Sequence, residues 1–193
     1  MEDNIYTALK KRVDQLSPLS EDEWADFSAS WKQKCFKKGD FVLRAGEVEK
    51  NFYFVHTGVH RLFGDKNDEE INVGFAYHGD YSGAFDSFLS QKPSDFYIES
   101  ITDSDVLYIN YTDMMHYFDK YRSVERWGRL FNAEMLIAMA RRQMEARSYS
   151  AEEKFKRLFD QSPQIFQLVP QKYLASYLGM TPETFSRLRA KIR

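Results

Sequence analysis

Residues 170–193 read Pro170-Gln-Lys-Tyr-Leu-Ala-Ser-Tyr-Leu-Gly-Met-Thr-Pro-Glu-Thr-Phe-Ser-Arg-Leu-Arg-Ala-Lys-Ile-Arg193. Leu174, Ala175 and Leu178 share one face of a first short helix, and Gly179 lets the chain leave it with a positive φ. Thr181-Pro182 opens a second helix, with Thr181 as cap and Pro182 at the first helical position, where its missing N–H costs nothing. Phe185 and Leu188, three apart, turn inward. Glu183, Thr184, Ser186, Arg187 and Arg189 are left along the remaining surface, residue types that hydrogen-bond base edges and phosphates. The spacing predicts a helix-turn-helix.

An ordinary helical hairpin with a solvated outer face has the same spacing, and charge separates the two readings. Residues 141–193 carry eleven Lys and Arg against five Asp and Glu, whereas residues 1–140 carry sixteen against twenty-four. Phosphate attraction needs a local positive surface and not a basic whole protein, so a net charge of −2 is no objection.

Working towards the N-terminus, roughly Val124 to Ser148 is a long helix with Leu130, Ile137 and Met144 every seven residues, flanked by Trp127, Phe131 and Ala138. A seven-residue stripe asks for a partner helix, so Trp127, Leu130, Phe131, Ile137 and Met144 are expected at the seam of a homodimer. Asp113 to Tyr121 forms a short helix before it, and Ser150 begins another through Phe155, Leu158 and Phe159. Between Lys32 and Tyr111 the period is two: Phe36, Phe41–Leu43, Phe52–Val55, His60–Phe63, Ile71–Phe75, Phe96–Ile98 and Val106–Ile109 are short β-rich runs. Gly39-Asp40, Ala45-Gly46, Thr57-Gly58, Lys66-Asn-Asp68 and His78-Gly-Asp80 separate them, a pattern of an antiparallel sandwich or barrel. Ahead of the strands, Asp3 to about Leu16 carries Ile5, Leu9, Val13 and Leu16 on one helical face. Ser20-Glu-Asp-Glu23 then makes a capping box that starts a second helix through Trp24, Phe27 and Trp31.

Composition narrows the function classes. Hydrophobic content of 43% supports a packed core. The longest apolar run, Met135–Ala140, is far below the ~18 residues of a membrane span, and the acidic opening is no secretory signal; a cytoplasmic protein with no membrane partner is expected. Cys35 is alone, which excludes an internal disulfide and a four-cysteine metal or cluster site, and buried packing is its expected role. A cupin-like metal enzyme would need a His-x-His pair with a further carboxylate and His. His56 and His60 are instead separated by the turn at Thr57-Gly58, no metal site is expected, and Glu69-Glu70 and Asp103/Asp105 read as solvated turns. A ligand-sensing or protein-interaction module that does not bind DNA is the remaining alternative.

Helix, β-roll, long helix, helix-turn-helix: this order resembles the Crp/Fnr family of bacterial transcription regulators. The likeness is carried by Gly39-Asp40, Gly46-Glu47, Tyr53-Phe-Val-His-Thr-Gly58, Gly79-Asp-Tyr-Ser-Gly83 and Leu174–Arg187. The resemblance implies an α+β fold with an N-terminal antiparallel β-roll, double-stranded, jelly-roll-like and cyclic-nucleotide-binding-like, over residues 1–123. It implies a dimerisation helix over 124–148 and a small helical helix-turn-helix domain without a full wing over 149–193. Double-stranded DNA, a second copy of the chain, RNA polymerase and a small-molecule effector are the partners it implies.

The effector pocket would gather Gly83, Ala84, Phe85, Ser94, Asp95, Ile137 and Ala138. Cyclic-AMP-binding members place a Glu where this chain has Ala84, and an Arg where it has Ser94, so cyclic AMP is expected to bind weakly or not at all. The cavity would be empty, remodelled or fitted to another, more apolar, ligand. An oxygen-labile cluster is excluded by the single cysteine, and haem would need an axial ligand such as His78 or His116. Glu183 and Arg187 match base-reading positions, Pro182 replaces an Arg, and Lys172 is a phosphate contact.

Overall fold

A computed structural model describes residues 4–67 and 69–191. Asp3, Asp68, Ile192 and Arg193, named above as parts of a helix, a turn and the terminal segment, lie outside the described residues. The chain divides into two compact units, residues 1–62 with 75–134, and residues 63–74 with 135–193. This division is not sequential, unlike the three segments expected from the family order.

The first unit opens with α1 (Ile5–Asp14), whose Ile5, Leu9 and Val13 are buried at helical spacing, and Asn4 caps it by accepting from the Tyr6 N–H. The expected capping box starts α2 (Glu21–Ala29): Ser20 N–H donates to Glu23 Oε2 at 2.9 Å, and Glu23 N–H to Ser20 Oγ at 3.3 Å. Eight strands follow among the described residues: β1 (Lys32–Phe36), β2 (Phe41–Leu43), β3 (Asn51–Thr57), β4 (His60–Lys66), β5 (Glu69–Ala76), β6 (Tyr81–Ser82), β7 (Phe96–Ser100) and β8 (Ser104–Asn110). They form two four-stranded sheets in the orders β1-β8-β3-β6 and β2-β7-β4-β5. β1 with β8, β2 with β7, and β3 with both β6 and β8 pair antiparallel. A short helix, α3 (Phe85–Ser90), and the two-residue β6 break the stretch after Gly79, where the sequence pattern showed no element.

The tight β3–β4 connection depends on Gly58 (φ +87°), since a Cβ there would lie 2.5 Å from the Asp103 carbonyl oxygen. His56 and His60 therefore fall on different strands, as the turn at Thr57-Gly58 predicts. Phe52 is the hub of an aromatic core, with Trp31, Tyr81, Phe85, Phe88, Trp127 and Phe131 all within 6.2 Å between ring centroids. α4 (Tyr111–Lys120) is capped by Asn110, and α5 (Arg122–Ser148) runs on from it.

Two expectations are corrected by burial. Trp127 and Phe131 are 1% and 7% exposed and pack against Phe52, Tyr81 and Phe85 of their own chain, so they are not free for a seam between copies. A helical stripe has the same period whichever surface covers it, and the first turns of α5 complete the roll's core. Cys35 is exposed, because it lies on β1, an edge strand buried only at Phe36.

In the second unit, α6 (Ala151–Gln161) starts from a further capping box, Ser150 with Glu153. α7 (Ile165–Leu168), α8 (Gln171–Leu178) and α9 (Pro182–Ala190) follow. Phe155, Phe166 and Phe185 form its centre, with ring centroids 5.1–5.8 Å apart. The β4–β5 tip belongs to this unit: Ser176 Oγ on α8 donates to the Glu70 carbonyl and accepts from the Asn72 N–H, both at 3.0 Å. Arg142 stacks 3.6 Å over the Tyr177 ring and donates to the Tyr177 carbonyl at 2.9 Å, tying α5 to α8.

Candidate functional site

The helix pair is built as its spacing requires. Leu174, Ala175, Leu178, Phe185 and Leu188 are buried. Gly179 adopts the left-handed conformation (φ +66°) that ends α8, and Thr181 Oγ1 accepts from the Thr184 N–H to cap α9. Of the residues expected at a nucleic-acid face, Lys172, Thr181, Glu183, Ser186 and Arg187 are exposed and Thr184 is half-buried. Glu183, Ser186 and Arg187 recur three and four apart, on one face of α9. The Glu183 carboxyl is held below its ordinary pKa by its own backbone N–H and by Thr181. Arg189 is turned away from that face: half-buried, it donates to the Phe166 carbonyl at 3.4 Å and so braces α7.

Two of the spaces in the first unit adjoin the predicted effector region. One, of about 20 Å³, is ringed by Phe52, Phe85, Phe88, Trp127 and Phe131, and has room for nothing larger than a water molecule. The other is an open cleft of about 460 Å³ lined by Val42, Leu43 and Val48 and by Glu47, Glu49, Lys50, Asn51 and Tyr53. Sequence reasoning placed Gly83, Ala84 and Ser94 at an effector pocket, and all three are buried against the segment that lines this cleft. Ser94 pairs with it through backbone bonds from Gly46 N–H to the Ser94 carbonyl at 2.8 Å and from Ser94 N–H to the Glu47 carbonyl at 2.9 Å. Gly83 packs near the Asn51 carbonyl. Phe85 faces the aromatic cluster, Asp95 is exposed, and Ile137 and Ala138 are exposed on α5 in the other unit.

Glu49 is the residue that sequence reasoning missed. It is 2% exposed; Asn51 N–H donates to its Oε1 at 3.0 Å, its own N–H donates to the buried Ser87 Oγ at 2.9 Å, and its Oε2 has no partner. Burial pushes its carboxyl up to about 7, against the opposing pull of the Asn51, Ala84 and Lys50 amides. Nothing in Gly46-Glu-Val-Glu-Lys50 marks one glutamate as interior. Its neighbours are as polar as those of a surface turn.

No guanidinium is among the cleft's lining residues, which include Lys50 with Glu47 and Glu49, and the Ser94 hydroxyl is occupied in accepting from the Phe96 N–H at 3.0 Å. The histidines offer no cofactor ligand set. His60 is buried between Ser82 Oγ (3.0 Å) and Ser104 Oγ (3.1 Å), and burial lowers its pKa to about 4. His78 Nδ1–H donates to the His56 carbonyl, and His116 is exposed on α4. Among the described residues no group of three or more His, Cys, Asp or Glu could hold a metal ion, and no helix is long and apolar enough to cross a membrane.

A family model described as the cyclic nucleotide-binding domain matches residues 33–121. The chain is 31% identical over 90 residues to the cAMP-dependent protein kinase regulatory subunit of Blastocladiella emersonii, a match that covers 46% of this chain and 22% of that protein. It is 25% identical over 201 residues to the fumarate and nitrate reduction regulatory protein of Escherichia coli, covering 97% of this chain and 75% of that one. The solved structure of the c-di-GMP-responsive global regulator CLP of Xanthomonas campestris shares the fold, with a TM-score of 0.68, 16% identity, and 90% of this chain and 91% of that chain covered. By its matched domain, its end-to-end likeness to a regulatory protein and its order of roll, long helix and terminal helix pair, the chain is similar to regulators of the Crp/Fnr type.

Proposed function

We propose that this protein is a DNA-binding transcription regulator that acts as a homodimer, in the cytoplasm, with RNA polymerase as a further partner. The observation that carries the reading is the outer face of α9. Glu183, Ser186 and Arg187 stand free while Phe185 and Leu188 anchor the helix from behind, the arrangement a recognition helix needs in a major groove. Self-association is supported by the second half of α5, where Leu136, Ile137, Met139 and Met144 are 51–69% exposed, a patch that a second copy would cover. With Trp127 and Phe131 used inside the roll, the seam is Leu130, Ile137 and Met144, with Leu136 beside them.

The effector reading rests on the space lined by Glu47–Asn51 and Tyr53, and weak cyclic AMP binding follows from Ala84 and Ser94 standing where its Glu and Arg anchors would be. A ligand there would shift the balance between two arrangements of the paired α5 helices, and so the spacing of the two recognition helices. Half-sites one helical turn, ~34 Å, apart make that spacing decisive. The test is selection of bound duplexes from a random pool, with and without cell extract, followed by a salt titration. A near-palindromic consensus whose affinity falls steeply with salt is expected. No retention on duplex DNA even at low salt would leave a sensing module that docks another protein, and the regulator reading would be wrong.

A further inference from the structure

The chain passes between its two units at three places, residues 62–63, 74–75 and 134–135. The first two lie on the strands of the β4–β5 hairpin, and the third lies on α5. Both elements reach α8, at adjacent residues. Arg142 of α5 stacks on the Tyr177 ring and donates to its carbonyl, while the outer edge of β5 meets Ser176. The Ser176 hydroxyl donates to the Glu70 carbonyl and accepts from the Asn72 N–H, each at 3.0 Å, and so stands in for a neighbouring strand. By helical periodicity Ser176 lies across α8 from the buried Leu174 and Leu178. Its bonds therefore do not hold α8 to α9. They fix where the helix pair sits on the hairpin.

We propose that Ser176 is a positioning residue for the recognition helix, clasping α8 to the edge of β5 so that two copies of the chain hold their α9 helices at one separation. With the clasp gone, Arg142 is a single tether about which the pair can turn. This rests on the reading of α9 as the DNA-reading element of a dimer. One base pair changes the distance between half-sites by ~3.4 Å and rotates one about the duplex axis. A clasped pair discriminates between spacers, and an unclasped one tolerates them.

The test compares Ser176→Ala, Ser176→Val and Ser176→Thr with the wild type, each in the full chain. Ser176→Thr keeps the hydroxyl, and Ser176→Val has the same branched shape without it. Exchange of the Asn72 amide, followed by NMR in the absence of DNA, reads the clasp. It should be slow in the wild type and Ser176→Thr and at least about tenfold faster in Ser176→Ala and Ser176→Val, with the amides of Phe185 and Leu188 unchanged. Duplexes carrying the selected palindrome, with its spacer one base pair longer or shorter, read the positioning. The wild type and Ser176→Thr should lose at least about tenfold in affinity on the altered spacers, and Ser176→Ala and Ser176→Val less than about threefold. Unchanged Asn72 exchange in Ser176→Ala overturns the proposal, as does a wild type indifferent to the spacer. Faster exchange with the wild-type spacer preference kept also overturns it, and would mark a contact that steadies the hairpin only. Should Ser176→Ala fail to fold, Ser176→Val against Ser176→Thr decides by the same two readings. Retention of the unaltered palindrome by the wild type is scored first. Without it the DNA reading fails and takes this proposal with it, whereas retention with spacer preference untouched by Ser176→Ala and Ser176→Val refutes this proposal alone.

Discussion

Glu49→Gln should change the way stability depends on pH, and the sign follows from two buried groups. Glu49 has its pKa raised from 4.5 to about 7, so the folded state holds a proton that the unfolded chain releases. Its favourable contribution is complete below pH 4.5 and is lost as pH rises through 7, at roughly 1.4 kcal/mol per pH unit, about 3 kcal/mol in all. His60 is the reverse: lowered from 6.5 to about 4, it contributes fully above 6.5 and loses its contribution as pH falls through 4. Between pH 4.5 and 6.5 the two slopes oppose each other, and the wild-type roll should be nearly flat with respect to this pair. Removing the Glu49 titration exposes the His60 slope. The stability of the variant relative to wild type should then grow from near zero at pH 4.5 to about 3 kcal/mol at pH 8, on top of any constant offset for burying an amide. Urea unfolding followed by tryptophan fluorescence reads this unit alone, because Trp24, Trp31 and Trp127 all lie in it. A stability difference that does not change with pH, or one that shrinks as pH rises, would refute the assignment of Glu49 as the interior acid.

Arg187→Ala should lower discrimination between specific and random duplex by ~1–3 kcal/mol per half-site in competition gel shifts, whereas Lys172→Ala should weaken both alike. Ile137→Asp places a charge in the exposed apolar patch of α5, and sedimentation should show a monomer with unchanged far-ultraviolet dichroism. Gly128→Ala should destabilise the roll by ~1–3 kcal/mol in the same urea assay, because a Cβ at that position would lie 2.6 Å from the Phe118 ring.

What was legible in the sequence was local and periodic. The Ser20–Glu23 box, the Gly179-to-Pro182 turn, and the inward pairs of α8 and α9 are each fixed by short-range backbone chemistry that residue types announce. Ala84 and Ser94, where the nucleotide anchors are lost, are both buried beside the Glu47–Glu49 segment but line no described cavity themselves. Illegible features depended on what covers a surface. Leu130, Ile137 and Met144 share a period with Trp127 and Phe131, yet the aromatic pair is enclosed by Phe52 and Phe85, partners far away in the chain. Arg189 has the type of a phosphate contact but reaches a carbonyl on α7. Glu49 is interior only because Ser87 on α3, itself unforeseen, is there to receive its N–H.

The outer margin of β5 has a consequence for shortened forms of the protein. Its Glu70 carbonyl and Asn72 N–H are both met by one hydroxyl, Ser176, and the side chains between and beside them, Ile71 and Val73, are each 42% exposed. Truncation after Ser148 would strip that hydroxyl away and uncover a bare, β-branched ribbon at the end of a sheet, the kind of border along which copies zip together. The terminal helices therefore cover that border as well as forming the proposed DNA-binding pair, and an isolated roll should turn turbid on concentration where the intact chain stays clear.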